Sequence, residues 1–302
     1  MNRTEIQSIL AAAGQGPQHK FGQNFMVDLK ALGAIADAGE IQSTDIVLEV
    51  GPGVGNLTRL LAQRAAAVLA VDIDKKLMPA AQRHHADLRN VTWLNADVLS
   101  GKHEINPEVI AALRLLRTGH PDGRIKLVSN LPYNAASPLV AELLVFMGSE
   151  MKSAARLPLA LGRLAFTVQH EVAQRMTARL DTSDYGPLGI LIQLMADVRI
   201  VRKIPPGAFW PPPKVHSALV VVSPDAARIA GIPDAPALQR LLAGLFSHRR
   251  QKTSNGLRHH LADAYTPDLA ARIAAAGIDL SLRPEALRLE QFLTLANLLS
   301  PP

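Results

Sequence analysis

The apolar run Ile46-Val47-Leu48-Glu49-Val50 stops at Gly51-Pro52-Gly53-Val54-Gly55, and a helical pattern starts at Asn56. A β-rich run, a turn with three glycines and then a helix read as the opening strand, turn and helix of an α/β sheet. Glycines at that turn let the chain reverse tightly and let backbone approach a ligand. The rest of the chain is constrained by this start. A parallel strand must be reached through a crossover, and the crossover is usually a helix.

The remaining pattern fits that constraint. Apolar runs predict strands at 46–50, 67–71, 91–95, 125–129, 163–169, 190–200 and 215–222. Helical segments are expected at 29–39, 56–66, 75–86, 136–147 and 170–180. Alternation of this kind means a parallel sheet with helices on both faces. No helix separates the last two runs, so the far edge is expected to be antiparallel. Residues 1–18 read as a loose or helical arm, and Gly101 to Arg124 as a surface insertion. After Ser223-Pro224 the pattern is helical at about 236–247, 254–264, 267–276 and 289–299. The expected fold class is therefore α/β, a Rossmann-like, mostly parallel sheet with an antiparallel edge. Residues 1–223 form that domain, and residues 224–302 form a small all-helical one. At 302 residues and 48% hydrophobic composition, both can bury a core.

Residue types at the strand ends narrow the ligand. The spacing at Gly51, Gly53 and Gly55 is Gly-x-Gly-x-Gly, not the dinucleotide Gly-x-Gly-x-x-Gly. Asp72 ends the second strand, 21 positions after Gly51, the spacing expected of a carboxylate that bonds ribose hydroxyls. Asp97 follows the third strand and is placed to accept a hydrogen bond from an adenine amino group. One carboxylate per strand end, with no demand for a pyrophosphate site, matches S-adenosylmethionine better than NAD. Glu49 is read as a further carboxylate on the cofactor side.

The loop Asn130-Leu131-Pro132-Tyr133 follows the strand at 125–129 and indicates the acceptor. The amino nitrogen of adenine is a poor nucleophile, because its lone pair is delocalised into the ring. Two acceptors aimed at its hydrogens, the Asn130 side-chain oxygen and a backbone carbonyl near Pro132, localise that lone pair. They also stabilise the positive charge that develops on methylation. Proline fixes its own φ and biases Leu131 to an extended conformation, which holds the carbonyls in place. Tyr133 offers a ring face, and base stacking on an aromatic is worth about 1–3 kcal/mol. The methylated amine is acidic, so no titrating base is needed.

Charge points to a polyanionic partner. The formal net charge is +6 and the isoelectric point about 9.8. The stretch from Ala235 to Ala262 has no acidic residue but contains Arg240, Arg249, Arg250, Lys252 and Arg258. The stretch from Val198 to Pro224 is also acid-free and carries Arg199, Arg202, Lys203 and Lys214. Such stretches are expected to contact phosphates. The absence of cysteine excludes disulfides, thiolate zinc sites and cysteine nucleophiles. His170-Glu171 begins like a zinc-protease motif, but position 174 is Gln174, so no metal is expected. No run reaches membrane-span length, and Met1-Asn2-Arg3-Thr4-Glu5 lacks a signal-peptide layout. A cytoplasmic, monomeric protein without membrane contact is expected.

With these motifs in place, the chain resembles the small-subunit ribosomal RNA adenine N6,N6-dimethyltransferases, the KsgA family, over nearly its whole length. The matching segments run in order. They are Phe21-Gly22-Gln23-Asn24-Phe25, Glu49-Val50-Gly51-Pro52-Gly53, Asn95-Ala96-Asp97, Asn130-Leu131-Pro132-Tyr133-Asn134 and Gln169-His170-Glu171-Val172-Ala173. Beyond these come Tyr185-Gly186-Pro187-Leu188, the Pro205-to-Val215 segment with Phe209, and Phe246 with Arg249-Arg250. The resemblance implies S-adenosylmethionine-dependent transfer of two methyl groups to each of two adjacent adenosines. These lie in a hairpin loop near the 3′ end of small-subunit (16S) rRNA, within an immature small subunit. It implies that Asn24 and Met26 close over the cofactor while Gly51, Asp72 and Asp97 hold it. It also implies that Asn130 positions the amino group, that Tyr133 and Phe209 sandwich the adenine, and that the helical domain grips rRNA. Departures are Asp72 for the usual glutamate, Met26 for leucine, His170 for lysine and His216 for aspartate.

Two other functions fit part of this pattern. One is a large-subunit rRNA methyltransferase of the antibiotic-resistance type, which typically carries isoleucine where Leu131 stands. The other is a non-catalytic ribosome assembly factor, against which the intact Asn130 and Tyr133 argue.

Overall fold

The computed structural model of the chain describes residues 1–18, 22–101, 104–153 and 159–300. By its internal contacts the chain divides into two units. The first comprises Met1–Leu143, Ala154–Ala173 and Arg199–Ser223, and the second Leu144–Ser153, Gln174–Val198 and Pro224–Pro302. The second unit thus takes in mid-chain segments besides the C-terminal helices that the sequence assigned to it.

In chain order the elements up to the acceptor loop are α1 (Arg3–Ala12), β1 (Phe25–Met26), α2 (Leu29–Ala38), β2 (Ile46–Val50), α3 (Asn56–Ala62), β3 (Ala67–Asp72), α4 (Leu77–His84), β4 (Val91–Asn95), α5 (Pro107–Gly119) and β5 (Ile125–Asn130). After it come α6 (Tyr133–Met151), β6 (Leu161–Gln169), α7 (His170–Met176), α8 (Pro187–Met195), β7 (Ala196–Ile204), β8 (Phe209–Trp210) and β9 (Ser217–Pro224). The remaining helices are α9 (Ala226–Ala230), α10 (Ala235–Ser247), α11 (Thr253–Leu261), α12 (Pro267–Ala275) and α13 (Leu289–Leu299).

Seven strands form one sheet in the order β4-β3-β2-β5-β6-β9-β7. Strands β4, β3, β2, β5 and β6 pair in parallel, and β9 pairs antiparallel with β6. The central strands are covered on both faces, which is why β2 and β3 are almost wholly apolar and buried. Leu32, Ile35 and Ala36 of helix α2 share one buried core with Val47, Val68, Val128 and Leu219. Fully burying side chains of this size stabilises by about 1.5–3 kcal/mol each.

The chain leaves β2 towards β3 and β4 on one side and returns to β5 and β6 on the other. Loops at the carboxyl ends of β2 and β5 therefore part, and this switch point is where open α/β sheets hold ligands. The glycine turn follows β2, and the Asn130 loop ends β5.

The expected strand at 190–200 is corrected by the structure. Residues Pro187–Met195 form a helix, and the strand starts only at Ala196. Pro187 occupies the first turn of α8, where its missing N–H costs nothing. Gly189, Ile190, Leu191, Ile192, Leu194 and Met195 are all buried, so this helix shows no polar face. A run apolar on every side cannot be assigned to helix or strand by periodicity. The structure also adds a two-stranded ribbon, β1 with β8, that pairs Met26 with Phe209 and Phe25 with Trp210.

The second unit is mainly helical, apart from the start of β7 at 196–198. The Tyr185 hydroxyl donates to the Leu287 carbonyl at 3.0 Å, and Phe246 meets Phe292 at 6.1 Å between ring centres.

Candidate active site

The turn after β2 runs through three left-handed glycines, with φ of +72° at Gly51, +58° at Gly53 and +87° at Gly55. A left-handed backbone costs an ordinary residue roughly 1–2 kcal/mol. Each glycine also has a close neighbour. A Cβ would stand 2.9 Å from the Pro132 ring at Gly51, 3.0 Å from the Phe25 ring at Gly53 and 2.4 Å from His85 Nε2 at Gly55. His85 is buried and braces the turn. Its Nε2 lies 2.9 Å from the Val54 carbonyl and its Nδ1 3.2 Å from the Arg59 guanidinium. A carbonyl only accepts and a guanidinium only donates, so the ring is the neutral Nε2–H tautomer. Burial lowers its pKa, and the nearby His84 and Arg59 add to that.

Asp72 ends β3 as expected. Its Oδ2 accepts from the Gly53 N–H at 3.2 Å and its Oδ1 from the Asp74 N–H at 2.9 Å. Burial raises its pKa to about 6, against the lowering effect of these backbone donors. Asp74 ties the N-terminal segment to the same place. Its Oδ1 caps α4 through Lys76 and Leu77, and its Oδ2 accepts from Gln15 at 2.8 Å and Gln23 at 2.7 Å. Phe21, the first residue of the Phe21-to-Phe25 motif, lies outside the described residues together with His19 and Lys20.

The glycine turn, Asn24, Met26, Asp72, Asp97, Asn130 to Tyr133 and Phe209 line one cavity of about 330 Å³. That is within the range of small-molecule sites, about 300–1,000 Å³. Two residues that line the cavity carry a buried oxygen without a partner: Glu49, already read as a carboxylate on the cofactor side, and Asn56, which the sequence did not single out. Glu49 is 1% exposed, and its Oε2 has no hydrogen-bond partner; neither does the buried Oδ1 of Asn56. An unsatisfied buried acceptor costs about 1–3 kcal/mol. A ligand carrying a cation and hydroxyl donors would relieve both, as the amino-acid and ribose parts of S-adenosylmethionine would. Burial pushes Glu49 to about 8, with the Thr58 hydroxyl opposing and the Asp72 charge adding to the rise. Asn56 donates through Nδ2 to the Met26 carbonyl at 2.9 Å, which fixes the strand that carries Met26. Asp97 is exposed, and its Oδ1 accepts from the Leu99 N–H at 3.1 Å.

The loop Asn130 to Tyr133 lines the same cavity as the glycine turn. Asn130 donates from Nδ2 to the Asn24 carbonyl at 3.3 Å, and its Oδ1 accepts from the Thr167 hydroxyl. The Pro132 carbonyl is taken by the start of α6, accepting from Ala135 at 3.0 Å and Ala136 at 3.2 Å. The Pro132 carbonyl is therefore committed to the helix; Leu131, which also lines the cavity, is the neighbouring residue whose carbonyl receives neither of those donors. The Tyr133 hydroxyl lies 2.7 Å from Ser217 Oγ. Burial raises its pKa against the effect of Ser217, so the phenol stays neutral. Phe209 is buried opposite Met26 in the ribbon. Trp210 stacks on Phe25 at 6.4 Å and lies under Arg3 at 5.1 Å.

The basic residues separate into two groups. Arg249, Arg250 and Lys252 lie in the connection between α10 and α11, and Arg258 lies on α11; all four are exposed. Arg249 is only 3.9 Å from Glu285, and Arg258 sits 5.3 Å over the Tyr265 ring. Lys214 is also exposed but belongs to the first unit.

Thr167, Asn56, Asp74 and Ser217 were not foreseen as parts of this site. Only Asn56, at the start of the helix after the glycine turn, had a local signal.

Comparison with known proteins extends the geometry. The family model described as "Ribosomal RNA adenine dimethylase" matches residues 15–300. A protein named ribosomal RNA small subunit methyltransferase A from Pediococcus pentosaceus is 34% identical, with 98% of this chain and 94% of that one covered. Its namesake from Magnetococcus marinus is 35% identical, covering 97% of this chain and 95% of the other. Among solved structures, a dimethyladenosine transferase from Plasmodium falciparum superposes with a TM-score of 0.66 at 22% identity, covering 90% of this chain and 95% of that one. That last likeness speaks for the fold.

Proposed function

The chain belongs to the ribosomal RNA adenine dimethylase family, and we propose that it dimethylates N6 of two adjacent adenosines in a hairpin loop near the 3′ end of small-subunit (16S) rRNA. It is an rRNA adenine N6,N6-dimethyltransferase, and its cofactor is S-adenosylmethionine. The reading is supported by one observation. Asn130 and Leu131 line one cavity with the glycine turn and with Glu49, whose buried Oε2 has no hydrogen-bond partner.

When bound, S-adenosylmethionine supplies a methyl group on a sulfonium. The residues of the chain do the rest by placement. Gly51 and Gly53 let the backbone approach the cofactor. Asp72 and Asp97 offer acceptors for ribose hydroxyls and the adenine amino group. Glu49 and the Asn56 oxygen face the remaining donors. On the acceptor side, Asn130 Oδ1 and the Leu131 carbonyl accept the N6 hydrogens and localise the lone pair. The target base must leave its stack to reach them, and loop adenines are the cheapest to extract. Tyr133 and Phe209 flank the base by stacking. The proton leaves the alkylated amine without a dedicated base.

The helical C-terminal residues from 224, with Arg249, Arg250, Lys252 and Arg258, are the proposed rRNA grip, together with Lys214. The immature small subunit is the proposed partner of a monomeric, cytoplasmic enzyme. Among the described residues no helix is long and apolar enough to cross a membrane. The test is incubation with unmethylated small subunits and S-adenosylmethionine carrying a labelled methyl, followed by mass spectrometry of rRNA fragments. Dimethyladenosine at two neighbouring positions near the 3′ end is expected. Label confined to large-subunit rRNA, or none with folded, cofactor-binding protein, overturns the reading.

A further inference from the structure

A carboxamide has two ends of nearly equal size and opposite character. Only the oxygen end helps methylation, because it accepts an N6 hydrogen. The NH2 end would aim its own hydrogens at those of the amine. The Asn130 reading therefore requires something in the protein that fixes which end faces the base.

Two contacts meet that requirement. The Asn24 carbonyl can only accept, so the atom 3.3 Å away from it is Nδ2. The Thr167 hydroxyl then donates to the other end, Oδ1. The register of the sheet makes the second contact direct. Strands β5 and β6 are parallel neighbours, and Asn130 and Thr167 are Cα partners. Partners in adjacent strands send their side chains to the same face. Thr167 is 0% exposed, so its hydroxyl has no water to turn to. A carbonyl oxygen accepts two hydrogen bonds, so Thr167 occupies one position and leaves the other for substrate.

We infer that Thr167 is a positioning residue that locks the polarity of the Asn130 carboxamide, keeping its oxygen end directed for the adenine amino group. The inference rests on the proposed role of Asn130. Without Thr167, the 3.3 Å contact with Asn24 alone opposes rotation of the amide, and rotated molecules present the wrong end.

The test separates hydroxyl from methyl on this side chain. Thr167→Val keeps the shape and removes the hydroxyl, and Thr167→Ser keeps the hydroxyl and removes the methyl. Thr167→Ala, which cannot overpack, repeats the comparison if the valine form folds poorly. Full-length protein is measured in single-turnover methyl transfer to unmethylated small subunits, alongside KM for the subunits and Kd for S-adenosylhomocysteine. The valine and alanine forms are expected to transfer about tenfold more slowly or worse, the scale of one lost hydrogen bond in a reacting site. Their KM and Kd stay within about twofold, a range far below one hydrogen bond, and serine restores the rate. A rate that follows the methyl group, or falls only with thermal stability and Kd, marks a packing role and overturns the inference. So does an unchanged rate. Asn130→Ala is run in parallel. If it still transfers at the wild-type rate, the reading of Asn130 itself fails; if it is dead while Thr167→Val is unimpaired, only the role of Thr167 fails.

Discussion

A Cβ on Gly51 would stand 2.9 Å from Cγ of Pro132, so the turn that approaches the cofactor and the loop that holds the acceptor touch through a residue with no side chain. This contact sets the separation between the proposed cofactor turn and the proposed acceptor loop. Gly51→Ala meets both that overlap and the left-handed φ of +72°. The strain alone is worth roughly 1–2 kcal/mol. The expected outcome is a drop in thermal midpoint of a few degrees and at least about tenfold weaker binding of S-adenosylhomocysteine by calorimetry, since about 1.4 kcal/mol is tenfold. The corresponding change at Gly207, where a Cβ meets nothing within 4 Å, leaves both unchanged.

Glu49 makes the empty protein's stability depend on pH. Its carboxyl goes from the ordinary 4.5 to about 8 on folding, chiefly through burial. Between those values the native state holds a proton that the unfolded chain has lost. Stability therefore falls as pH rises through that window and levels off above about 8. Asp72, raised to about 6 by burial, acts in the same direction over a lower range. Glu49→Gln mimics the protonated form, so its unfolding free energy at pH 8 exceeds that of the natural protein and its slope is flatter. A cationic ligand prefers ionised Glu49, so cofactor binding expels a proton below pH 8. Affinity then rises with pH by up to about tenfold per unit. Calorimetry in two buffers of different ionisation enthalpy reads the proton, and the glutamine variant releases fewer.

The exposed cations around α11 predict a salt signature. Removing Arg249, Arg250 or Lys252 singly lowers rRNA affinity across sequences. It also reduces the slope of log K against log salt by about one for each phosphate that is no longer neutralised. Arg249 has Glu285 only at 3.9 Å, so its charge is little committed within the protein. Kd for S-adenosylhomocysteine stays unchanged in these variants. Fluorescence anisotropy with a hairpin RNA measures the slopes, over salt concentrations of about 50 to 200 mM, where phosphate-binding affinities change most visibly.

Much of this site is legible in the sequence because its parts are local. Gly51 to Gly55 and Asn130 to Tyr133 are contiguous strand-end loops, and Asp72 is placed by a spacing. What was missed is non-local or lacks a period. Thr167 looks like any β-branched strand residue until register sets it beside Asn130. The ribbon of Phe25-Met26 with Phe209-Trp210 is too short to show alternation, yet it puts Met26 next to Phe209. The expected strand at 190–200 takes in the last turns of α8 because nearly every residue of 190–195 is apolar; Pro187 at the start of the helix is the signal against it. That the Pro132 carbonyl is claimed by α6, which makes Leu131 the proposed backbone acceptor, is a helix-start detail with no sequence signal.

The central claim is that Asn130 acts on N6 through its side-chain oxygen. Its most direct test is single-turnover methyl transfer by Asn130→Ala, with unmethylated small subunits and saturating S-adenosylmethionine, compared with binding of the same two partners. Loss of one aligned polar group in a reacting site costs about 10²–10³ in rate, and a loss of that size or greater is expected here. RNA and cofactor affinities should change by no more than about twofold, well under 1.4 kcal/mol. A variant that transfers methyl groups within about threefold of the natural rate, less than any such polar group supplies, would contradict the account.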